Sequence, residues 1–490
     1  MADDVLSTSA AGPAAVRGGA LRVGGFFLGS LVGLLSAALL FRHLGVKDTG
    51  RYVTAMSLVA IVAALSDLGL TSIGVRELSR SSVTERWSLA RDLLGLRLTL
   101  TLAGTVLMIA IAWIAYSAAL AAGVALACVG LALQATQDNL SLPLTIGLRL
   151  GWVSALDLAR QLLTSIATIA LVVAGATLVP FLGVSIPVGI VLLLFTWRLV
   201  RGVRALRPTF SAARWRRFTS AMLPYSAATA AAALYFRVSI LLVSALSTAT
   251  QLGYFSASFR SLEVLTLVPA MLVGSAFPIL ARAAHDDHER LGYALGRLFE
   301  VATIVGSWVA VSIAVGAPLA MKIIGGAKFA PAAPVLAFQG IGLGAMFVSL
   351  VWAYALLSLG LYRTIMVLSL SALALNAALV TPLTLLDGAR GAALATGIAE
   401  IVVGVAQCLA VVRGRPSLSP SLAVLPRVIL ASVLGLAPLA LTGAPVIARI
   451  CISTFLFVST LLITRAFPAE LLDLLPPIAR GPVARLQGHS

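Results

Sequence analysis

The chain is poor in charge, and what charge it has is mostly of one sign. Of its 490 residues only 11% are charged, 35 Lys and Arg against 18 Asp and Glu, for a formal net charge of +17. A soluble globular domain carries about 25% charged residues, so a water-soluble protein is excluded. Cysteine is nearly lacking as well. Cys128, Cys408 and Cys451 each stand in an apolar stretch, which leaves no close-spaced thiol pair for a metal and no even-numbered disulfide framework. What fills the sequence instead is apolar: 60% hydrophobic residues and a mean hydropathy of +1.03.

Lipid offers the backbone no hydrogen-bond partners, so an apolar run of about 20 residues crosses it as a helix. Fourteen such runs can be laid down, at 21–41, 53–73, 93–116, 119–136, 152–174, 177–197, 221–244, 253–280, 295–318, 332–357, 364–386, 391–412, 427–442 and 444–464. The first is too long for a signal-peptide core and follows a segment that carries Asp3 and Asp4, so it reads as a retained membrane helix. The sequence therefore predicts an all-α polytopic membrane protein of about 14 transmembrane helices, arranged as two pseudo-symmetric six-helix lobes plus two C-terminal helices. Its parts are a cytoplasmic N-terminal segment (1–20), an N-lobe (21–197), a basic cytoplasmic linker (198–220), a C-lobe (221–412), helices thirteen and fourteen (413–464) and a cytoplasmic tail (465–490).

The spans come from hydropathy alone, so the distribution of cations tests them separately. On the side that holds the N-terminus fall 24 of the 35 Lys and Arg, against 6 on the other side and five inside spans. The positive-inside rule then places both termini in the cytoplasm. The densest run, from Arg198 through Arg201, Arg204, Arg207, Arg214 and Arg216 to Arg217, reads as a topology-fixing linker on anionic lipid. Nucleic-acid binding fits poorly, because the chain has no soluble domain to present a groove-reading element. A faint repeat supports two lobes: Gly50-Arg51-Tyr52 opens helix two, and Gly253-Tyr254-Phe255 opens helix eight. Six helices separate the copies, which gives a parallel repeat, a transporter's architecture.

An ionisable residue near the centre of a membrane helix costs about 2.5–3.5 kcal/mol on insertion scales, so each should face a partner, a cavity or a substrate. Arg237 and Arg260 are expected at similar depth on successive antiparallel helices, each roughly 10 Å below the outer surface at 1.5 Å per residue. Glu263 stands one turn from Arg260 and can neutralise it. No acid stands three or four residues from Arg237. A planar, permanently charged guanidinium suits bidentate recognition of phosphate, so Arg237, Arg260 and Glu263 are the candidate substrate-binding residues.

Arg97, Asp157 with Arg160, and Arg297 with Glu300 fall near cytoplasmic helix ends, where snorkelling and same-helix pairing account for them. Arg449 reads as an anchor. Asp67 and Glu400 lie deeper and lack same-helix partners in the sequence, which makes them the candidates for binding a coupling H+ or Na+. The cluster His285-Asp286-Asp287-His288-Glu289 fills a short cytoplasmic loop and reads as a solvated turn, since adjacency implies no coordination geometry. Gly325-Gly326-Ala327-Lys328 opens no Walker pattern. Neither a metal nor a cofactor other than a coupling ion is expected.

Several motifs, in order, carry a resemblance. They are Arg42-His43-Leu44-Gly45 through Gly50-Arg51-Tyr52, Ser66-Asp67-Leu68-Gly69-Leu70 and Arg76-Glu77 in the first half. The second half adds Gly253-Tyr254-Phe255-Ser256-Ala257 with Arg260 and Glu263, Phe277-Pro278, Phe329-Ala330, Ala332-Ala333-Pro334, Asn376 and Gly388-Ala389-Arg390-Gly391. With these the chain, from about residue 21 to 412, resembles the oligosaccharide and polysaccharide flippase family (O-antigen flippase-like) of the multidrug/oligosaccharidyl-lipid/polysaccharide exporter superfamily. The resemblance implies an alternating-access bundle in the inner, or plasma, membrane that moves polyprenyl-pyrophosphate-linked oligosaccharide, as for lipopolysaccharide, from the cytoplasmic to the outer leaflet. It implies membrane lipids and the polysaccharide polymerase and glycosyltransferase machinery as partners. Arg260-x-x-Glu263 matches an Arg-x-x-Glu of related flippases, in which the arginine faces the cavity. Ser239 stands where relatives often carry an acid, which removes the carboxylate on which one cation site would be built.

Two other functions fit the residues less well. A multidrug/cation antiporter of the same superfamily would want an acidic, aromatic cavity, and Arg237 and Arg260 disfavour it. A polyprenyl-linked glycosyltransferase, polymerase or ligase wants a general acid or base in a sizeable outer loop. The outer loops here are short, and the first offers only Asp48. The expectation is a flippase, not an enzyme.

Overall fold

Long runs of Ala, Leu, Val and Ile leave a backbone in lipid one local way to satisfy its N–H and C=O groups, the helix. The computed structural model describes residues 11–67, 83–146, 149–200, 208–211, 215, 230–235 and 237–466, and no strand occurs among them. In chain order the helices are α1 (Ala11–Asp67), α2 (Val83–Ala115), α3 (Ala118–Leu140), α4 (Leu142–Ile146), α5 (Leu150–Val173), α6 (Leu178–Gly183) and α7 (Ser185–Leu199). Then come α8 (Ala230–Leu246), α9 (Ala249–Leu265), α10 (Leu267–Asp286), α11 (His288–Gly325), α12 (Ala333–Ser358), α13 (Tyr362–Gly414), α14 (Val424–Leu436) and α15 (Val446–Ile463).

Ten helical stretches among the described residues are long and apolar enough to cross a membrane, and α8 and the stretch Val424–Ala440 are shorter apolar helices. Two of the ten, Leu28–Asp67 and Tyr362–Gly414, run to 40 and 53 residues, well beyond the roughly 20 that one crossing needs. Each is interrupted by non-helical backbone, at Gly45 (φ 73°) in α1 and at Asp387 and Gly388 (φ −141° and 52°) in α13. Positive φ is open to glycine at no steric cost. Both breaks fall between apolar runs that the sequence separates, 21–41 from 53–73 and 364–386 from 391–412. Gln251 holds the second: its Oε1 accepts from the N–H of Ala389 at 3.2 Å.

The exterior is apolar, the reverse of a soluble protein. Ile114 is 86% exposed, Leu386 84% and Val173 82%, as lipid-facing side chains would be. Polar side chains cap helices where they begin. Ser117 accepts from the N–H of Leu120 at the start of α3, Thr248 from Gln251 at α9, and Asp287 from Arg290 at α11 (2.9 Å). Asp287 belongs to the His-Asp cluster of the sequence, so part of that cluster is a helix cap. Among the described residues no group of three or more His, Cys, Asp or Glu is arranged to hold a metal. Gly326, in the Gly-rich stretch, terminates α11 at φ 73°.

The chain divides into two compact units, residues Met1–Leu241 and Leu242–Ser490. The division falls within α8, downstream of the basic linker expected at 198–220, most of which lies outside the described residues. In the first unit Ala55, Leu58 and Val62 of α1 pack with Met108 and Ala112 of α2, Val124 and Cys128 of α3, and Leu182 of α6. In the second, α12 packs on α11 and α13 and buries Phe347 and Trp352 completely. Lipid tails are as apolar as leucine, so close packing and hydrogen bonds hold such helices together rather than water exclusion. The α11–α12 crossing shows it: a Cβ added to Gly306 would lie 2.5 Å from the carbonyl oxygen of Gly344. In the C-terminal hairpin, Ser453 Oγ on α15 donates to the Gly435 carbonyl on α14 at 2.6 Å.

Candidate functional site

The charges within the apolar helices are the residues that the fold must explain, and in each unit several of them are joined to other polar groups. In the first unit the C-terminal end of α1, the first half of α2 and the end of α3 bring together Asp67, Arg97 and Asp138. A guanidinium nitrogen of Arg97 lies 3.6 Å from a carboxylate oxygen of each acid. On α5, Arg160 donates to Asp138 at 2.9 Å and also to the side-chain carbonyl of Gln137. Gln137 is buried and its amide donates to Thr196 Oγ1 on α7 at 3.3 Å. Two arginines and two aspartates thus make a charge-balanced chain across α1, α2, α3 and α5, in which Arg97 joins the two acids and Asp138 joins the two arginines. A half-buried carboxylate that accepts from one arginine and pairs with another fixes both guanidiniums in place.

Asp67 therefore has a partner on another helix, although its own helix offers none. The sequence suggests that Arg97 snorkels. Its side chain is instead only 15% exposed and turned toward the two acids. Sequence reasoning missed Asp138 and Gln137. Both lie just past the inner end of the apolar run 119–136, and the polar triplet Gln137-Asp138-Asn139 was the available signal.

The second unit holds Arg260 and Glu263 on α9, and they form the ion pair that their spacing predicts. The arginine side chain remains 40% exposed, so part of its guanidinium is available to a further anion. Arg237 is half-buried on α8, in the first unit. Arg297 pairs with Glu300 at 2.8 Å on α11, as expected, and stacks over Tyr293 with its Cζ 5.4 Å from the ring centroid. Glu400, in the second half of α13, is buried and accepts from Ser349 Oγ on α12 at 2.6 Å. A buried carboxylate needs such donors, and the serine was invisible in the sequence because only the α12–α13 packing brings it near.

The comparisons with known proteins agree with this arrangement of helices. The family model described as "Polysaccharide biosynthesis protein" matches residues 39–334. Among solved structures the fold is similar to that of the lipid II flippase MurJ in an inward closed conformation, with a TM-score of 0.75 at 14% identity, over 91% of this chain and 98% of that one. It is also similar to the MATE multidrug transporter DinF-BH (TM-score 0.59, 16% identity, 83% and 96%). An inward-facing multidrug resistance MATE family transporter of the MOP superfamily gives a TM-score of 0.58 at 14% identity, over 80% and 94%. A search of curated proteins gives no match. On the family match, which spans more than half of its length, this multi-pass membrane protein belongs to the polysaccharide biosynthesis protein family.

Proposed function

We propose that the chain is a flippase that carries polyprenyl-pyrophosphate-linked oligosaccharide from the cytoplasmic to the outer leaflet of the inner, or plasma, membrane by alternating access. The observation that carries this reading is the family match over residues 39–334. The likeness in fold to a lipid II flippase supports it, because lipid II is itself a lipid-linked substrate. In this reading Arg237 and Arg260 attract the pyrophosphate, Glu263 holds the Arg260 guanidinium in position, the sugars stay hydrated and the polyprenyl tail stays in lipid. Direction requires that the substrate bind the two states differently and that a gradient or downstream consumption bias the cycle. The same reading assigns the coupling H+ or Na+ to Asp67 and Glu400, sets both termini in the cytoplasm, and makes the polymerase and glycosyltransferase machinery of polysaccharide assembly the functional neighbours.

The runner-up, a multidrug/cation antiporter, draws on the likeness to MATE structures. A half-exposed arginine beside a single acid is a poor receptor for a cation, and we rank it second. Cells depleted of the protein test the choice. The flippase reading expects a lipid-linked glycan to accumulate on the cytoplasmic leaflet. An unchanged leaflet distribution together with increased sensitivity to cationic dyes would reverse the ranking.

A further inference from the structure

A second cationic site stands apart from the residues assigned above. Where α10 ends and α11 begins, a cavity of about 470 Å³ is lined by Pro278, Ile279, Arg282, Ala283, Asp287 and Arg290, within the about 300–1,000 Å³ typical of small-molecule sites. The first four stand at i, i+1, i+4 and i+5 and so share one face of α10. Arg282 and Arg290 are exposed, and among the described residues neither guanidinium has an ion-pair or hydrogen-bond partner. The one carboxylate in the lining, Asp287, is engaged with the backbone N–H of Arg290 as the α11 cap.

The position of the cavity says what it can hold. The apolar stretch long enough to cross a membrane ends at His285, so in a bilayer the cavity would fall near the boundary between hydrocarbon and water, on the face that the cation distribution assigns to the cytoplasm. Ile279, 54% exposed, and Pro278 stand about one turn back along the apolar stretch from Arg282, and Arg290 stands beyond its end. Basic pockets between membrane helices at that level suit anionic headgroups, and arginine suits phosphate oxygens in particular.

We propose that this cavity binds the phosphate of an anionic glycerophospholipid, held between Arg282 and Arg290, with an acyl chain along Pro278 and Ile279. The test titrates phosphatidylglycerol onto the purified full chain in neutral detergent and reads retained lipid by native mass spectrometry, with phosphatidylcholine and inorganic phosphate as comparison ligands. The wild-type chain should retain phosphatidylglycerol over phosphatidylcholine, and excess inorganic phosphate should leave it bound. Arg282→Gln with Arg290→Gln should weaken retention by roughly tenfold or more, the loss expected for charge-assisted hydrogen bonds. Arg149→Gln with Arg198→Gln, which removes the same charge from exposed positions on the same expected face, should leave it unchanged.

Retention that survives the first double variant, or falls equally in the second, would overturn the proposal in favour of general surface charge. Displacement by inorganic phosphate would overturn it in favour of a free anion. A photoreactive phosphatidylglycerol on the unmodified chain gives a check that depends on no variant: labelling should fall on α10 around Ile279, and labelling confined to other helices would contradict the site.

Discussion

At the scale of single residues, the charges sort by how many partners each one serves. Asp138 serves both Arg97 and Arg160, whereas Asp67 serves Arg97, which keeps Asp138 when Asp67 is removed. Asp138→Ala should therefore destabilise the protein by about 1–3 kcal/mol, the cost of stranding charged hydrogen-bonding groups, and Asp67→Ala by less. Thermal unfolding of the purified full chain in detergent checks the order, and equal losses would contradict the shared role of Asp138. Arg260 carries a functional prediction instead. With insertion matched, Arg260→Ala should lower translocation by on the order of tenfold or more, from loss of charged hydrogen bonds to pyrophosphate. Unchanged transport would remove Arg260 from the binding site. Of these residues the sequence revealed Arg260 and Glu263 as a pair, because they are one turn apart on one helix. It could not reveal the Asp67–Arg97–Asp138–Arg160 chain, whose members are joined only by the packing of four helices.

Elements were more legible than the contacts between them, and glycine and proline explain where they break. Hydropathy separated the two halves of α1 and of α13, yet each pair is joined by a one- or two-residue bend around a positive-φ glycine rather than by a loop. A Cβ at Gly388 would lie 3.1 Å from the Gln251 side chain. Gly388→Ala should thus cost at least the roughly 1–2 kcal/mol of a left-handed non-glycine residue. Gly296→Ala, in the interior of α11 with open space around it, should be neutral or stabilising by up to about 1 kcal/mol. The same unfolding measurement separates the two, and a Gly388→Ala protein as stable as the wild type would mean that the bend does not depend on glycine. The single apolar run 253–280 is divided into α9 and α10 at Thr266, three residues before Pro269. Proline has no N–H for the carbonyl four residues back, so that break was readable in the sequence although hydropathy passed over it. In the α11–α12 crossing, by contrast, Gly306 and Gly344 are ordinary helix glycines until the two backbones are seen to approach.

For the whole molecule, fold class was the most legible property, because lipid allows so few solutions: an apolar chain of this length with cations gathered on alternate loops has to be a bundle of membrane helices. In the proposed reading the net charge of +17 is mostly a label of orientation, and the cations assigned to function are Arg237 and Arg260, with Arg282 and Arg290 assigned to lipid. The glycan that the proposed flippase would carry was not legible, since sugar recognition rests on hydroxyl and amide groups that hydropathy and charge spacing do not distinguish from packing. The most direct measurement of the central claim is the leaflet distribution of a polyprenyl-pyrophosphate-linked oligosaccharide in sealed proteoliposomes, read as accessibility of the glycan to an enzyme that cannot cross the membrane. The account predicts that glycan initially protected in the inner leaflet becomes accessible when the wild-type protein is present and stays protected in protein-free liposomes. Equal protection in both, with the protein shown to be folded and inserted, would contradict it.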